Sequence, residues 1–324
     1  MKRHLVAVAA MVAALSLSYV AAPSSAAEGG RPATYVLSGD AGGSKFEGIG
    51  SDQRRGTFYV SEVTGGEIHR GFAATPHAQE WLGGSGTDGR FTARGITVDD
   101  AGNVYIAGGP NGIDAGTGGD NGRPDLWIYS PSGELLAALR APGEGAFLND
   151  VVIGADQAAY FTNSSAPQVF RVARGESGWG IELWSDATGT IATQPGFNLG
   201  GLVLTADRSA LVVAQGTTGQ LWRFDSADGS VSPVATGGAD LVNADGLVRR
   251  GGKLTVVRNF SRMIATLRLS ADGGTAALVS QAATDPTRVL TTATVLRGRM
   301  LYVDSKFDES VATPPYEVIT DPFA

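Results

Sequence analysis

One phrase returns along most of this chain: an apolar pair, a tight turn, and then a short strand rich in β-branched and aromatic residues. It reads as "FEGIGSDQRRGTFYVSEV", "ARGITVDDAGNVYIAGG", "LNDVVIGADQAAYFTNS", "LGGLVLTADRSALVVAQ", "NADGLVRRGGKLTVVRN" and "TTATVLRGRMLYVDSKF". With Glu47, Arg94, Asn149, Gly200, Asp245 and Thr292 as equivalent positions, the period is about 48 residues. A fixed period of this length means that each unit buries its apolar face against its neighbours, so the units form an array or a ring.

Each unit supplies its own turn chemistry. "DDAGN" (Asp99 to Asn103) and "SADGG" (Ser270 to Gly274) carry residues that accept positive φ between strands. Alternating third strands follow as "GEIHRG", "LWIYS", "QVFRVA", "QLWRFD" and "IATLRLS", and weaker fourth strands as "AQEWL", "LLAALR", "IELWS", "VSPVA" and "AALVSQ". Four antiparallel strands in each of six units, without a helix, predict an all-β six-bladed β-propeller rather than a seven-bladed ring or an open sandwich. The sixth unit has no fourth strand of its own, and "ATYVLSG" (Ala33 to Gly39) is expected to join it and close the ring. Forty-six glycines in 324 residues, with 43% apolar residues and no three-residue period, fit many short strands and exclude collagen and simple disorder.

The first residues read as a processing signal. Met1 to His4 is basic, Leu5 to Ala22 is apolar, and Ser25-Ala26-Ala27 is a small-x-small site, so residues 1–27 are expected to be a cleaved secretory signal peptide. Residues 28–324 then form a single propeller domain, secreted to the extracellular or cell-envelope space. With no cysteine, neither a disulfide nor a lipid-modified cysteine is available. The net charge of −7 argues against a nucleic-acid partner, and no later apolar run is long enough to hold the chain in a membrane. A monomer acting on a small molecule is the expectation.

Few residues permit elaborate chemistry. Beyond the signal only His69 and His77 remain. His69 reads as a solvated strand residue and His77 as a loop residue, so an imidazole-based metal cluster is unsupported. Gly84, Gly86 and Gly89 spell G-x-G-x-x-G, but the motif lies between two strands with no helix to meet a pyrophosphate, and reads as a loop. The oxygen-rich "DAGTGGDNGRPD" (Asp114 to Asp125) fits no defined calcium loop and reads as a solvated loop. What remains is the ring of equivalent positions. Glu47, Arg94, Asn149 with Asp150, Gly200, Asp245 and Thr292 begin the innermost strands and face one end of the central channel, where oxygen donors from different blades suit a hard divalent ion such as Ca²⁺.

The stretches "FEGIG", "LNDVVIGADQAAYFTN", "GGLVLTADRSALVVAQGTTGQLWRFD", "ADGLVRRGGKLTVVRN" and "YVDSKFDESVATPPYEVI" make the chain resemble the senescence marker protein, gluconolactonase and luciferin-regenerating-enzyme-like superfamily, over nearly all of residues 33–320. The resemblance implies a six-bladed propeller holding a divalent metal on an acid of the first blade, an Asn of the fourth and an Asp of the fifth. Glu47 and Asp245 match the two acids, and Asn149 matches a substrate-side Asn. Gly200 stands where the fourth-blade Asn belongs, with Asn198 two residues earlier on the same face as the substitute. The implied activity is that of a metal-dependent lactonase or esterase-like hydrolase. In it Glu47, Asp245 and Asn198 hold the ion, Asp245 or Asp150 assists the attacking water, and Asn149 and Arg94 contact the substrate. The missing Asn points to the alternative, a non-catalytic secreted propeller that binds a small molecule, a glycan or a protein.

Overall fold

The computed structural model describes residues 30–108 and 123–324. The signal segment 1–27 and most of the Asp114–Asp125 loop lie outside the described residues. Strands dominate; the one helical turn among the described residues is the 3₁₀ turn Thr87–Gly89, inside the glycine motif, which is indeed a loop.

Six four-stranded antiparallel sheets follow one another along the chain. Blade 1 contains β2 (Phe46–Asp52), β3 (Thr57–Glu62), β4 (Ile68–Phe72) and β5 (Gln79–Leu82). Blade 2 contains β6 (Ile96–Val98), β7 (Val104–Ala107), β8 (Leu126–Tyr129) and β9 (Leu135–Leu139). Blade 3 is built from β10 (Leu148–Ile153), β11 (Ala159–Asn163), β12 (Gln168–Gly175) and β13 (Gly178–Asp186). Blade 4 is built from β14 (Leu199–Leu204), β15 (Ala210–Gln215), β16 (Gln220–Asp225) and β17 (Val231–Pro233). Blade 5 holds β18 (Ala244–Arg250), β19 (Lys253–Arg258), β20 (Met263–Leu269) and β21 (Ala276–Ala283). In blade 6, β22 (Leu290–Leu296), β23 (Arg299–Asp304) and β24 (Tyr316–Ile319) are completed by the N-terminal β1 (Thr34–Leu37).

That last pairing is the closure expected from the sequence. β1 runs antiparallel to β24, with Thr34 opposite Ile319 and Leu37 opposite Tyr316. It covers an edge of β24 that would otherwise present free backbone groups. Tyr35 and Leu37 point inward and are buried with Phe46, Phe58, Val303 and Val318, so the closing blade is packed as well as hydrogen-bonded.

The core is divided like the ring. Six hydrophobic clusters each span one seam between adjacent blades, as in the cluster joining Leu126 and Ile128 of blade 2 to Val151 and Phe161 of blade 3. This is the sharing of apolar faces that the repeat demanded.

One histidine departs from expectation. His69 is buried, not solvated: only 2% of it is exposed. Its ring nitrogens lie 3.3 Å from Ser38 Oγ and 3.3 Å from Glu62 Oε2, and the ring packs edge-on against Phe46. The N-terminal segment covers this face of β4 when it closes the ring, a contact that strand alternation does not encode. His77 is exposed, in the loop where it was expected.

Candidate functional site at the propeller axis

The innermost strands bulge where the equivalent residues lie. Register shifts fall between Phe46 and Ile49, Leu148 and Val151, Leu199 and Leu202, Ala244 and Leu247, and Leu290 and Ala293. Each shift brackets a ring position: Glu47, Asn149, Gly200, Asp245 and Thr292. A bulge leaves a residue outside the ladder and re-aims its side chain, which here turns it towards the axis.

The backbone groups released by the bulges are claimed by hydroxyls on the second strands. Ser61 Oγ accepts the Gly48 N–H at 2.9 Å and donates to the carbonyl of Arg94 in the next blade. Thr162 Oγ1 accepts the Asp150 N–H at 3.1 Å and donates to the Gly200 carbonyl at 2.8 Å. Between blades 6 and 1 the hydroxyl comes from the innermost strand instead, Thr291 Oγ1 of β22 donating to Glu47 O at 2.8 Å. Neighbouring inner strands approach so closely that a Cβ on Gly95 would lie 2.5 Å from the Asn149 carbonyl, so the residue after Arg94 has to be glycine.

Above the bulges opens a cavity of about 260 Å³ whose floor is Glu47, Arg94, Asn149, Gly200 and Asp245. Arg94 Nη1 donates to Glu47 Oε2 at 2.8 Å, and both side chains are almost wholly buried. Asn149 Nδ2 approaches Glu47 Oε1 at 3.4 Å, and the Arg94 guanidinium lies over the Phe147 ring, 4.1 Å from its centroid. Arg94 Nε is buried with no hydrogen-bond partner. Asn259 Nδ2 donates to Asp245 Oδ2 at 2.7 Å.

Burial dominates the titration of the acids. It raises Glu47 above the usual carboxylate range, more than the adjacent Arg94 lowers it. Asp245 is raised well above that range by burial and by the negative charge of Glu47, with Asn259 and Arg94 opposing. Two buried carboxyls that feel each other do not both ionise readily. Glu47 has the guanidinium beside it, whereas Asp245 has only an amide at hydrogen-bonding distance, so of the two it is Asp245 whose carboxyl is raised the further.

Asp150 sits elsewhere. It lies beneath the floor, around a small void of about 10 Å³ shared with Thr291 and Thr292, and does not line the main cavity. Its Oδ1 accepts the Val151 N–H at 2.8 Å, and burial pushes its carboxyl up to about 7. As placed, it acts on the pocket through its field, one of the influences that raise Asp245.

Asn198 lines the cavity wall, but its amide is spent on its own loop. Oδ1 accepts the Gln194 N–H at 2.8 Å, while Nδ2 donates to the carbonyls of Ser164 (3.2 Å), Gln194 (3.1 Å) and Gly196 (3.4 Å). Gly200 supplies no side chain, although its missing Cβ would point into the site, 3.7 Å from Asn149 Oδ1 and 3.9 Å from Asp245 Oδ1.

These residues do not fit a divalent ion. A guanidinium already neutralises Glu47, the oxygen expected from position 200 is absent, and the Asn198 oxygen serves the loop. Among the described residues no group of three or more His, Asp or Glu side chains is placed to hold a metal. The sequence reading missed the Arg94–Glu47 pair as a unit. Their equivalent repeat positions contained the signal, because adjacent blades bring adjacent ring residues together.

Fold and floor together define a six-bladed β-propeller with a buried acid–arginine pocket on its axis. No protein-family model matches the chain, and no curated protein matches it in sequence. Solved structures match it in fold. A gluconolactonase from Xanthomonas campestris is 17% identical with a TM-score of 0.59, covering 86% of each chain. A streptogramin B lyase is 13% identical with a TM-score of 0.59, covering 84% of this chain and 80% of that one. The Malassezia sympodialis allergen Mala s 1 is 13% identical with a TM-score of 0.63, covering 89% of this chain and 95% of that one. The resemblance read from the sequence therefore holds as a shared six-bladed fold.

Proposed function

We propose that this protein is an exported hydrolase that opens small lactones or related esters in the axial pocket, with Arg94 in the electrostatic place of a metal ion. The observation that carries this reading is the pairing of a buried carboxylate, Glu47, with Arg94, next to a second, partly buried acid, Asp245, whose carboxyl is raised well above the usual range. Environments that separate two acids in this way provide a base and an acid in one cavity. The gluconolactonase among the propeller neighbours adds support at the level of fold.

In this mechanism the Arg94 guanidinium and the Asn149 amide face the substrate carbonyl oxygen and stabilise the negative charge that grows on it. Water attacks the carbonyl carbon and gives its proton to Glu47. The bond to the ring oxygen breaks, that oxygen takes the proton of Asp245, and a hydroxy acid leaves. Asp150, from below the floor, helps to keep Asp245 protonated. A second reading, a non-catalytic binding propeller, is favoured by Gly200, which removes one polar group from the floor.

A ring-opening assay on a panel of lactones and aryl esters, run with and without EDTA, tests the proposal. Turnover should be insensitive to EDTA and should fall by about 100-fold or more in Glu47→Gln and Asp245→Asn. Its acid limb should lie above the usual glutamate range. No turnover across the panel would leave the binding-protein reading.

A further inference from the structure

The wall of the axial cavity is unlike its floor. Phe197 precedes β14, Phe260 follows β19 and Phe307 follows β23, so three consecutive blades each place a phenylalanine around the cavity. Phe197 and Phe260 remain 54% and 50% exposed, an unfavourable position for large apolar side chains. Phe197 is held on edge against Phe147, with ring centroids 5.7 Å apart, and Phe147 in turn carries the Arg94 guanidinium. Concave apolar exposure beside a few convergent polar groups marks a ligand surface.

Most polar side chains of the wall are turned away from the cavity, the Lys45 amine being the exception. Ser164 Oγ donates to Leu199 O at 2.8 Å, and Thr217 Oγ1 donates to Phe197 O at 2.6 Å. Asn243 Nδ2 donates to Ser261 Oγ at 3.0 Å, and the Asn198 amide is engaged in its loop. A polyhydroxylated ring needs partners on several sides, and hydroxyls desolvated against phenylalanine without partners are unfavourable. The hydrogen-bonding capacity left over belongs to Asp245 on the floor and to the amine of Lys45 beside it.

We infer that the pocket takes a ligand polar at one end only: a small lactone or ester whose carbonyl meets the floor and whose aryl or alkyl body fills the Phe197–Phe260–Phe307 arc. The same wall disfavours sugar lactones, whose hydroxyls would lie against phenylalanine. Resting on the hydrolase reading only for the lactone class, the inference adds which lactones enter. A volume of about 260 Å³ restricts the body to about one ring.

The test separates binding from turnover. γ-Phenyl-γ-butyrolactam, which resists ring opening, is titrated by calorimetry against wild type and the Phe197→Ser and Phe260→Ser variants. The phenyl lactone and D-glucono-1,5-lactone are compared in the ring-opening assay. The lactam should bind wild type, each serine substitution should weaken it by about tenfold, and the phenyl lactone should be the preferred substrate. Phe-dependent binding of the lactam without turnover of any lactone sinks the hydrolase reading and sustains this one. Turnover of the sugar lactone, with no binding of the phenyl lactam, overturns this inference and leaves the hydrolase standing. Binding that both serine variants retain in full overturns it too, and because both phenylalanines are half exposed these variants are expected to fold.

Discussion

Arg94 and Glu47, 47 positions apart in sequence and one blade apart in space, meet at 2.8 Å in a site from which water is almost excluded. Removing one partner from such a pair leaves an uncompensated buried charge, whereas removing both does not. Arg94→Met should therefore cost about 3–5 kcal/mol in urea unfolding, and Glu47→Gln with Arg94→Met much less than the sum of the single changes. Additive costs in the double-mutant cycle would mean that the pair is not formed in solution.

The place of the metal is open to a direct test. Ca²⁺, Mg²⁺, Mn²⁺ or Zn²⁺ should leave the Tm of wild type unchanged. Position 200 has room for a side chain aimed between Asn149 and Asp245, so Gly200→Asn combined with Arg94→Gln should restore an oxygen-rich site. That variant should gain a Ca²⁺-dependent rise in Tm, corresponding to about 2.7 kcal/mol at a hundredfold excess over Kd. A Ca²⁺-dependent rise in wild type would contradict the substitution of metal by arginine.

Asn198 distinguishes a ligand from a loop clamp. As a metal ligand it would tolerate Asn198→Asp, since an oxygen is retained. As the clamp described above, Asp would lose the donated hydrogens and set a carboxylate against the carbonyls of Ser164 and Gln194. The expected outcome is destabilisation on the order of 3 kcal/mol, read by urea or thermal unfolding.

Asp125, buried at the start of β8, gives a pH signature. Its Oδ2 accepts the Ala141 N–H at 2.8 Å, and burial pushes its carboxyl up to about 6 from 3.8, with that hydrogen bond opposing. The folded state thus holds this proton more tightly than the unfolded state. The stabilisation is fully present below about pH 4 and is lost as pH rises through about 6, a difference on the order of 3 kcal/mol. Asp125→Asn should flatten the fall in stability between pH 4 and 7; an unchanged slope would assign it to other groups.

Much of the fold is legible in the sequence because it is repetitive: each blade restates the same turn and strand pattern, so an error in one unit is corrected by the others. β1 was readable from a deficit, since the last unit lacked a strand and the N-terminus had one to spare. The burial of His69 was not readable, because it depends on which segment covers the outer face of β4 after closure. Nor was the fate of Asn198, whose amide could reach inward or back to its loop from the same backbone position.

The sequence by itself determined the number of blades, the seam that closes the ring and the residues that surround the axis, because these follow from period and parity. Only the tertiary structure decided what those axial residues do to one another. Arg94 pairing with Glu47, the raised carboxyl of Asp245 and the place of Asp150 below the floor arise from short-range packing and electrostatics in a desolvated space. Those interactions depend on distances of a few ångströms between side chains from different blades, which the spacing of residues along a chain does not contain.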